Sequence, residues 1–192
     1  MKELLFFSHN QKKIIEINQI FKSSKINLQN LNSFKKIREP AEIGSTFSKN
    51  ANIKSKYGLQ KFNVPCFADD SGFCVEAMNN NPGIKSNRFF KKFTSHKEAF
   101  NFIISKAIKK NNYRAFFVTA ISLSLAKNHH IIFIGKVGGR VSLAPKGHNG
   151  FGYDPIFIPE NQTKTFAEMN MEEKNKISHR KIAVTKLKSF LF

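Results

Sequence analysis

The chain has 192 residues, 41% of them hydrophobic and 23% charged, enough apolar material for an ordinary core in one domain or two closely joined lobes. That content argues against disorder, and no run of about 18 uncharged apolar residues is present to span a bilayer. The formal net charge of +19 points to an anionic partner: nucleic acid, an anionic membrane or a polyanionic small molecule.

Residues 3–7 read as a buried strand, residues 8–10 as a turn, and residues 12–21 as a helix whose inner face carries Ile14, Ile15, Ile17, Ile20 and Phe21. The apolar stretch at the start, residues 4–7, is too short for a signal-peptide core, which places the protein in the cytoplasm. Thr46 caps a second helix running to about residue 61, and Pro65 introduces a short strand ending in Asp69, Asp70, Ser71 and Gly72. Phe73, Val75 and Ala77 then alternate with Cys74, Glu76 and Met78 as a half-buried strand. Residues 79–92 form a loop by their Asn and Pro-Gly content, and residues 94–110 a helix with Phe100, Ile103, Ile104, Ala107 and Ile108 inward. Residues 113–126 and 130–141 make a long hairpin, followed by a Gly- and Pro-rich loop over 145–155. The last 20 residues are helical, with Ile177, Ile182, Ala183, Leu187 and Leu191 inward. This order is α+β or α/β with a mixed sheet. Cys66 and Cys74 lack the number for a disulfide framework and the spacing of a zinc site, and read as reduced, partly buried thiols.

Composition offers a second origin for the charge. Lys, Asn, Ile and Phe have A/T-rich codons, and the positive residues are scattered along the chain rather than blocked. Drift in an A/T-rich genome combined with a phosphate-binding cleft accounts for this better than a dedicated nucleic-acid surface. No RNA- or DNA-binding motif, repeat or low-complexity linker stands out.

Four segments carry polar residues that folding alone does not demand. Ser8, His9, Asn10, Gln11, Lys12 and Lys13 sit where a strand passes into a helix, so main-chain N–H groups, the helix dipole and a lysine can attract phosphates; a capped helix with solvated lysines explains the same letters. Asp69 and Asp70, with Glu42 upstream, bring hard oxygen ligands together. Such acids suit Mg²⁺ and one of them can activate water, the alternative being a solvated turn. Residues 147–155 interleave glycines with Phe151 and Tyr153 and add Asp154, which suits a nucleobase pocket, unless the aromatics fold into the core. Residues 172–181 hold Lys174, Ser178, His179 and Arg180. Successive His179 and Arg180 cannot share one helix face, so a site using both requires a helix start or an irregular turn.

In this order the segments S-H-N-Q-K-K, E-I-G-S-T-F-S-K-N-A-N-I-K, F-A-D-D-S-G-F-C-V-E-A with N-P-G-I-K-S-N-R, G-F-G-Y-D-P-I-F, and F-A-E-M-N-M-E-E-K-N-K-I-S-H-R resemble the inosine triphosphate pyrophosphatase family, across almost the whole chain. The resemblance implies an α/β fold with an elongated mixed sheet, flanking helices and two lobes around a central cleft, residues 1–192 forming one pyrophosphatase domain in a homodimer. It implies hydrolysis of dITP, ITP and XTP to the monophosphate and pyrophosphate, which cleanses the nucleotide pool. It also implies nucleoside triphosphates as the small-molecule partners, without a membrane or a dedicated nucleic-acid partner.

By resemblance Ser8, His9, Asn10, Gln11, Lys12 and Lys13 bind the triphosphate, Asp70 is the proton acceptor, and Glu42 with Asp70 holds Mg²⁺. Ser71 touches substrate, and Phe151, Gly152, Tyr153 and Asp154 match the base-binding stretch. Lys174 matches a substrate lysine, His179 and Arg180 the pair that recognises the 6-keto purine, and Asn50 and Lys54 are further cleft candidates. Discrimination against ATP would come from donors aimed at O6, which a 6-amino group leaves unpaired. His9, Lys49, Lys85 and Asn149 depart from the family's Gly, acid, aromatic and Gly. The two lysines change charge near the expected cleft, which leaves open a weakened relic that binds nucleotide without hydrolysis. A basic nucleic-acid-binding protein on the same scaffold is the other alternative.

Overall fold

The structure, a computed structural model, describes residues 3–22, 26–34 and 37–192. One mixed sheet of seven strands has the order β2-β1-β3-β5-β6-β7, with β4 paired to β3. The strands are β1 (Glu3–Phe6), β2 (Asn27–Asn30), β3 (Cys66–Val75), β4 (Asn81–Pro82), β5 (Arg114–Ala126), β6 (His129–Val141) and β7 (Phe157–Pro159). Pairing is parallel for β1 with β2 and β3, and antiparallel for β3 with β4 and β6 with β7. The helices are α1 (Gln11–Phe21), α2 (Phe47–Phe62), α3 (Ser86–Phe90), α4 (His96–Lys109), α5 (Met171–Ile177) and α6 (His179–Leu191). The mixed α/β class expected from the sequence is the class observed.

The chain divides into two compact units, one of residues 1–70, 119–135 and 180–192, the other of residues 71–118 and 136–179. In the first unit the pleat of β1 and β3 sorts side chains onto two faces. Leu4, Phe6 and Phe67 pack with Ile14, Ile17, Ile20 and Phe21 of α1 and with Ala183, Val184 and Leu187 of α6. Leu5, Phe7, Cys66 and Ala68 point the other way, toward Tyr57, Leu59 and Phe62 of α2. The second unit has its own core, in which Phe73, Val75 and Phe117 meet Phe100, Ile103, Ile104 and Ala107 of α4 and the buried Tyr153, Phe157 and Phe166.

Several elements differ from the sequence reading. Ile15 is 40% exposed and Ile108 52% exposed; each sits one position past the buried stripe of its helix, where an isoleucine is tolerated without being needed. Val184, not singled out, is fully buried. The Asp-Asp-Ser-Gly stretch is no turn: β3 runs without a break from Cys66 to Val75, buried along nearly its whole length, with Cys74 covered as well as Phe73 and Val75. Glu76–Met78 then turns as a 3-10 segment instead of prolonging a half-exposed strand. The expected loop at 79–92 contains β4, a further 3-10 turn and α3. The two cysteines are free and buried, and burial raises the Cys74 thiol to about 11.

Candidate active site

In the first unit, Asn10 caps α1 by accepting the main-chain N–H of Lys13 at 3.2 Å, and Ser8 Oγ accepts the N–H of Asn10 at 3.2 Å. The turn is thereby held at a helix start. His9 is tied through its N–H and Nδ1 to Glu39, both at 2.9 Å, and Gln11 Oε1 accepts from Asn32 at 2.8 Å. Lys12 is exposed. Lys13 instead turns inward, its ammonium 2.9 Å from Asp69 Oδ2. Burial lowers the pKa of Lys13, with Lys54 and Arg180 adding to that and Asp69 opposing it.

Alternation along β3 gives the neighbouring aspartates different partners. Asp69 shares the face of Phe67 and meets Lys13 of α1 and Arg180 of α6, the latter with Nη2 at 3.6 Å. Arg180 Nη1 donates to Glu16 of α1, and all three of Arg180, Glu16 and Asp69 are buried. Asp70 shares the face of Ala68 and accepts from Asn50 Nδ2 of α2 at 2.9 Å. Asn50, with no exposed surface, accepts in turn from the N–H of Gly44 at 2.8 Å, in the loop that carries Glu42. Lys54, one turn further along α2, donates to Glu42 Oε1 at 2.8 Å. Burial works against its charge, but Asp69, Glu42 and Asp70 together raise its pKa.

Asp70 is the perturbed acid of this unit. Burial pushes its carboxyl up to about 6, with Glu42 adding to the rise; Lys54, the Asn50 hydrogen bond and Lys13 pull the other way. Lys13, Lys54 and Arg180 face Glu16, Glu42, Asp69 and Asp70, three cations against four carboxylates when all are ionised. No group of three or more His, Cys, Asp or Glu side chains converges as a metal site among the described residues. Glu42 and Asp70 are hard oxygen donors, and the excess of carboxylates around them suits a divalent cation.

In the second unit, Asp154 Oδ2 accepts from Lys174 Nζ at 2.7 Å and from the N–H of Phe151 at 2.7 Å. Both members of the ion pair are buried. The ammonium also lies 4.9 Å from the centre of the Phe151 ring, within cation–π range. Lys174 is delivered by α5, whose Asn170 and Glu173 form a reciprocal capping box. Ser178, extended at φ −71° and ψ 151°, separates α5 from α6. The break interrupts the last 20 residues, which the sequence reads as helical, and of the two options open there it gives a helix start, from which His179 and Arg180 go to different surroundings. His179 stacks on Phe117 with centroids 4.7 Å apart and planes at 12°, whereas Arg180 joins the carboxylates of the first unit.

Tyr153 is a core residue, stacked on Phe90 and Phe73 with its hydroxyl donating to the carbonyl of Ser86 at 2.7 Å. Of the two aromatics expected to face a base, Phe151 is the half-buried one. Ser71 follows Asp70 on β3 and Gly152 lies in the turn before Asp154. Glu16 was not marked by the sequence as a site residue, and Asp69, read there only as an acid paired with Asp70, instead meets Lys13 and Arg180. One signal was available, since Glu16 is three residues after Lys13 and lies on the same helix face. Among the departures from the family pattern, neither His9 nor Asn149 has a positive φ, so a side chain is accommodated at both. Asn149 bonds the carbonyls of Ala167 and Met169 at 3.0 Å. Lys49 is exposed and donates to Ser45.

The model of the Ham1 family matches residues 4–190. The chain belongs to the Ham1 family. It is 40% identical over 187 residues to a dITP/XTP pyrophosphatase of Flavobacterium johnsoniae, covering 96% of this chain and 95% of the relative. The dITP/XTP pyrophosphatase of Porphyromonas gingivalis is 36% identical over 192 residues, 100% of this chain and 98% of that one. A HAM1 protein from Coxiella burnetii superposes with a TM-score of 0.89 at 32% identity, covering 100% and 98% of the two chains. The Ham1 protein of Staphylococcus aureus gives 0.87 at 36% identity, covering 99% and 98%. The family resemblance read from the sequence is thus borne out across the chain. Among the described residues no helix is long and apolar enough to cross a membrane.

Proposed function

We propose that this Ham1-family chain hydrolyses dITP, ITP and XTP to the nucleoside monophosphate and pyrophosphate. The observation that carries the reading is Asp70: a buried carboxyl raised to about 6, beside Glu42, with one oxygen fixed by Asn50. Such an acid is ionised at neutral pH yet basic enough to take a proton from water. The names of the full-length relatives support the substrate class.

In this reading Glu42 and Asp70 hold Mg²⁺, which when bound supplies charge neutralisation to the phosphates and the leaving pyrophosphate. Asp70 accepts the proton of the attacking water. The N-terminal amides of α1, with Ser8, Asn10 and Lys13, bind phosphate oxygens, and Lys54 adds charge from α2. Ser71 touches the substrate. Phe151 supplies a flat face for the base, Asp154 and Lys174 keep that face and its N–H in place, and His179 donates to the 6-keto oxygen. Arg180, engaged by Glu16 and Asp69, is a positioning residue for Asp69 and through it for Lys13. The reading treats residues 1–192 as one pyrophosphatase domain, acting as a cytoplasmic homodimer without a dedicated nucleic-acid partner.

Pyrophosphate release from dITP, XTP, ATP and dGTP, each tried with Mg²⁺ and then with EDTA, tests the proposal. Release from dITP or XTP alone, lost in EDTA, is the expected result. Equal release from all four removes the base selectivity, and no release from any removes the activity.

A further inference from the structure

A cavity of about 470 Å³ lies within the second unit, between the turn at residues 77–79, β4, α3 and α4. None of the residues assigned above to phosphate, metal or base lines it. Its size is within the range that holds a small-molecule ligand. Phe89 and Phe102 contribute apolar ring surface, their centres 6.1 Å apart and their planes inclined at 54°. Lys85, Arg88 and Lys92 come to it from α3 and its flanks, Lys106 from α4 and Lys110 from the cap that ends it.

All five cations are exposed at their outer ends, and no acid lines the cavity. The imbalance extends beyond the lining: residues 77–110 contain eight Lys or Arg and one acid, Glu98. Glu98 is occupied at the start of α4, where Thr94 donates to it through its N–H and Oγ1. Arg88 lies in α3 with Lys92 two residues past its end, and Lys106 lies in the last turn of α4 with Lys110 at its cap, so like charges from both helix ends reach one cavity. The fold gathers here a charge that looks scattered in the sequence, and none of the residues that line the cavity is an acid. The Lys106 ammonium lies 5.0 Å from the centre of the Phe102 ring, so apolar face and cation belong to one surface.

We propose that this cavity is a second nucleotide site, which takes a mononucleotide with its base on Phe89 and Phe102 and its phosphates among Lys85, Arg88, Lys92, Lys106 and Lys110. Two inclined aromatic rings, one to stack on a base and one to meet its edge, with a cationic rim match a ligand that has a flat ring at one end and several negative charges at the other. Charge complementarity separates this occupant from a second copy of the chain, which would bring the same cations. The volume suits one nucleotide unit rather than a strand.

The test uses the full chain in EDTA at low salt, with the N-methylanthraniloyl derivative of ADP as a fluorescent probe and amide NMR shifts to place it. The expected result is saturable binding, displaced by ADP, with shifts concentrated in residues 77–110. Adenosine, ribose 5-phosphate and pyrophosphate should each compete about tenfold or more less well than ADP, since each lacks one half of the recognised chemistry. The double variant Arg88→Glu with Lys106→Glu, both exposed, should keep the wild-type urea midpoint and lose binding by about tenfold or more. Shifts confined to residues 8–13 and 151–180, or unchanged binding by the double variant, would overturn the proposal. It also fails if pyrophosphate competes as well as ADP, or if a thymidylate dodecamer binds tightly and ADP cannot displace it. A salt-sensitive dimer that the variant abolishes, with no probe binding, assigns the face to a second copy instead.

Discussion

Arg180 opens α6 by pairing with Glu16 of α1 and reaching Asp69 of β3, so one guanidinium joins two helices and the central strand of the first unit. The three groups are almost without exposed surface. Inside a protein such a set is stable only when complete, because removing one member leaves an uncompensated charge. Glu16→Ala should therefore lower stability by about 3–5 kcal/mol, measured by urea unfolding. Glu16→Gln, which keeps an acceptor for Arg180, should lose less. A loss below about 1 kcal/mol for Glu16→Ala would mean that water reaches the pair and that Arg180 does not depend on it.

Asp70 makes an opposite prediction, because its substitution should stabilise the fold while ending the chemistry. The folded state holds this proton up to about pH 6, whereas an ordinary aspartate releases it near 3.8. Between those values the folded state binds more protons than the unfolded one, so stability falls as pH rises through that window. The fall amounts to about 3 kcal/mol and persists at neutral pH. Asp70→Asn removes the ionisation, and at pH 7 in EDTA it should raise the unfolding free energy by up to about that amount, with little gain at pH 4. Pyrophosphate release should drop by about a hundredfold or more. Unchanged turnover would take Asp70 out of the mechanism, and a stability gain independent of pH would locate its cause elsewhere.

Asn50 is the strut between the Glu42 loop and Asp70, since it accepts from Gly44 and donates to Asp70. Its hydrogen bond lowers the Asp70 pKa against the larger effect of burial. In Asn50→Ala the acid limb of the kcat/KM profile should move to higher pH, whereas a mere loss of fold stability would scale the whole profile without shifting it. Asn50→Asp adds a second carboxylate beside Asp70 and should move the limb further in the same direction.

How far this site was legible depended on how local its causes are. Thr46 was readable as a cap because it bonds a main-chain N–H three residues on, whereas the break at Ser178 falls inside a stretch read as helical throughout, and the adjacency of His179 and Arg180 left a helix start and an irregular turn both open. The continuity of β3 was not readable. Asp69, Asp70, Ser71 and Gly72 have the composition of a turn, and they stay in a strand because the two carboxylates find Lys13, Arg180 and Asn50, all remote in sequence. The same remoteness explains Arg180. Its motif pairs it with His179, but the direction of its side chain is set by Glu16, which only the packing of α6 against α1 brings near.

Two glycines in the turn before Asp154 separate conformational need from crowding. Gly150 and Gly152 have φ of +71° and +64°, where any side chain costs about 1–2 kcal/mol. At Gly152 a methyl group would meet nothing within 4 Å, so Gly152→Ala should lose only that amount. At Gly150 the methyl would collide with Asp154 Oδ2, the atom that accepts from Lys174 and from the N–H of Phe151. Gly150→Ala should lose the same backbone cost and also displace this acceptor, leaving Lys174 buried and poorly paired. Its urea midpoint should fall well below that of Gly152→Ala, and the KM for dITP should rise while the Asp70-dependent pH profile keeps its shape. Equal losses for the two variants would show that the turn moves as a unit and that Asp154 is not fixed by its lack of space.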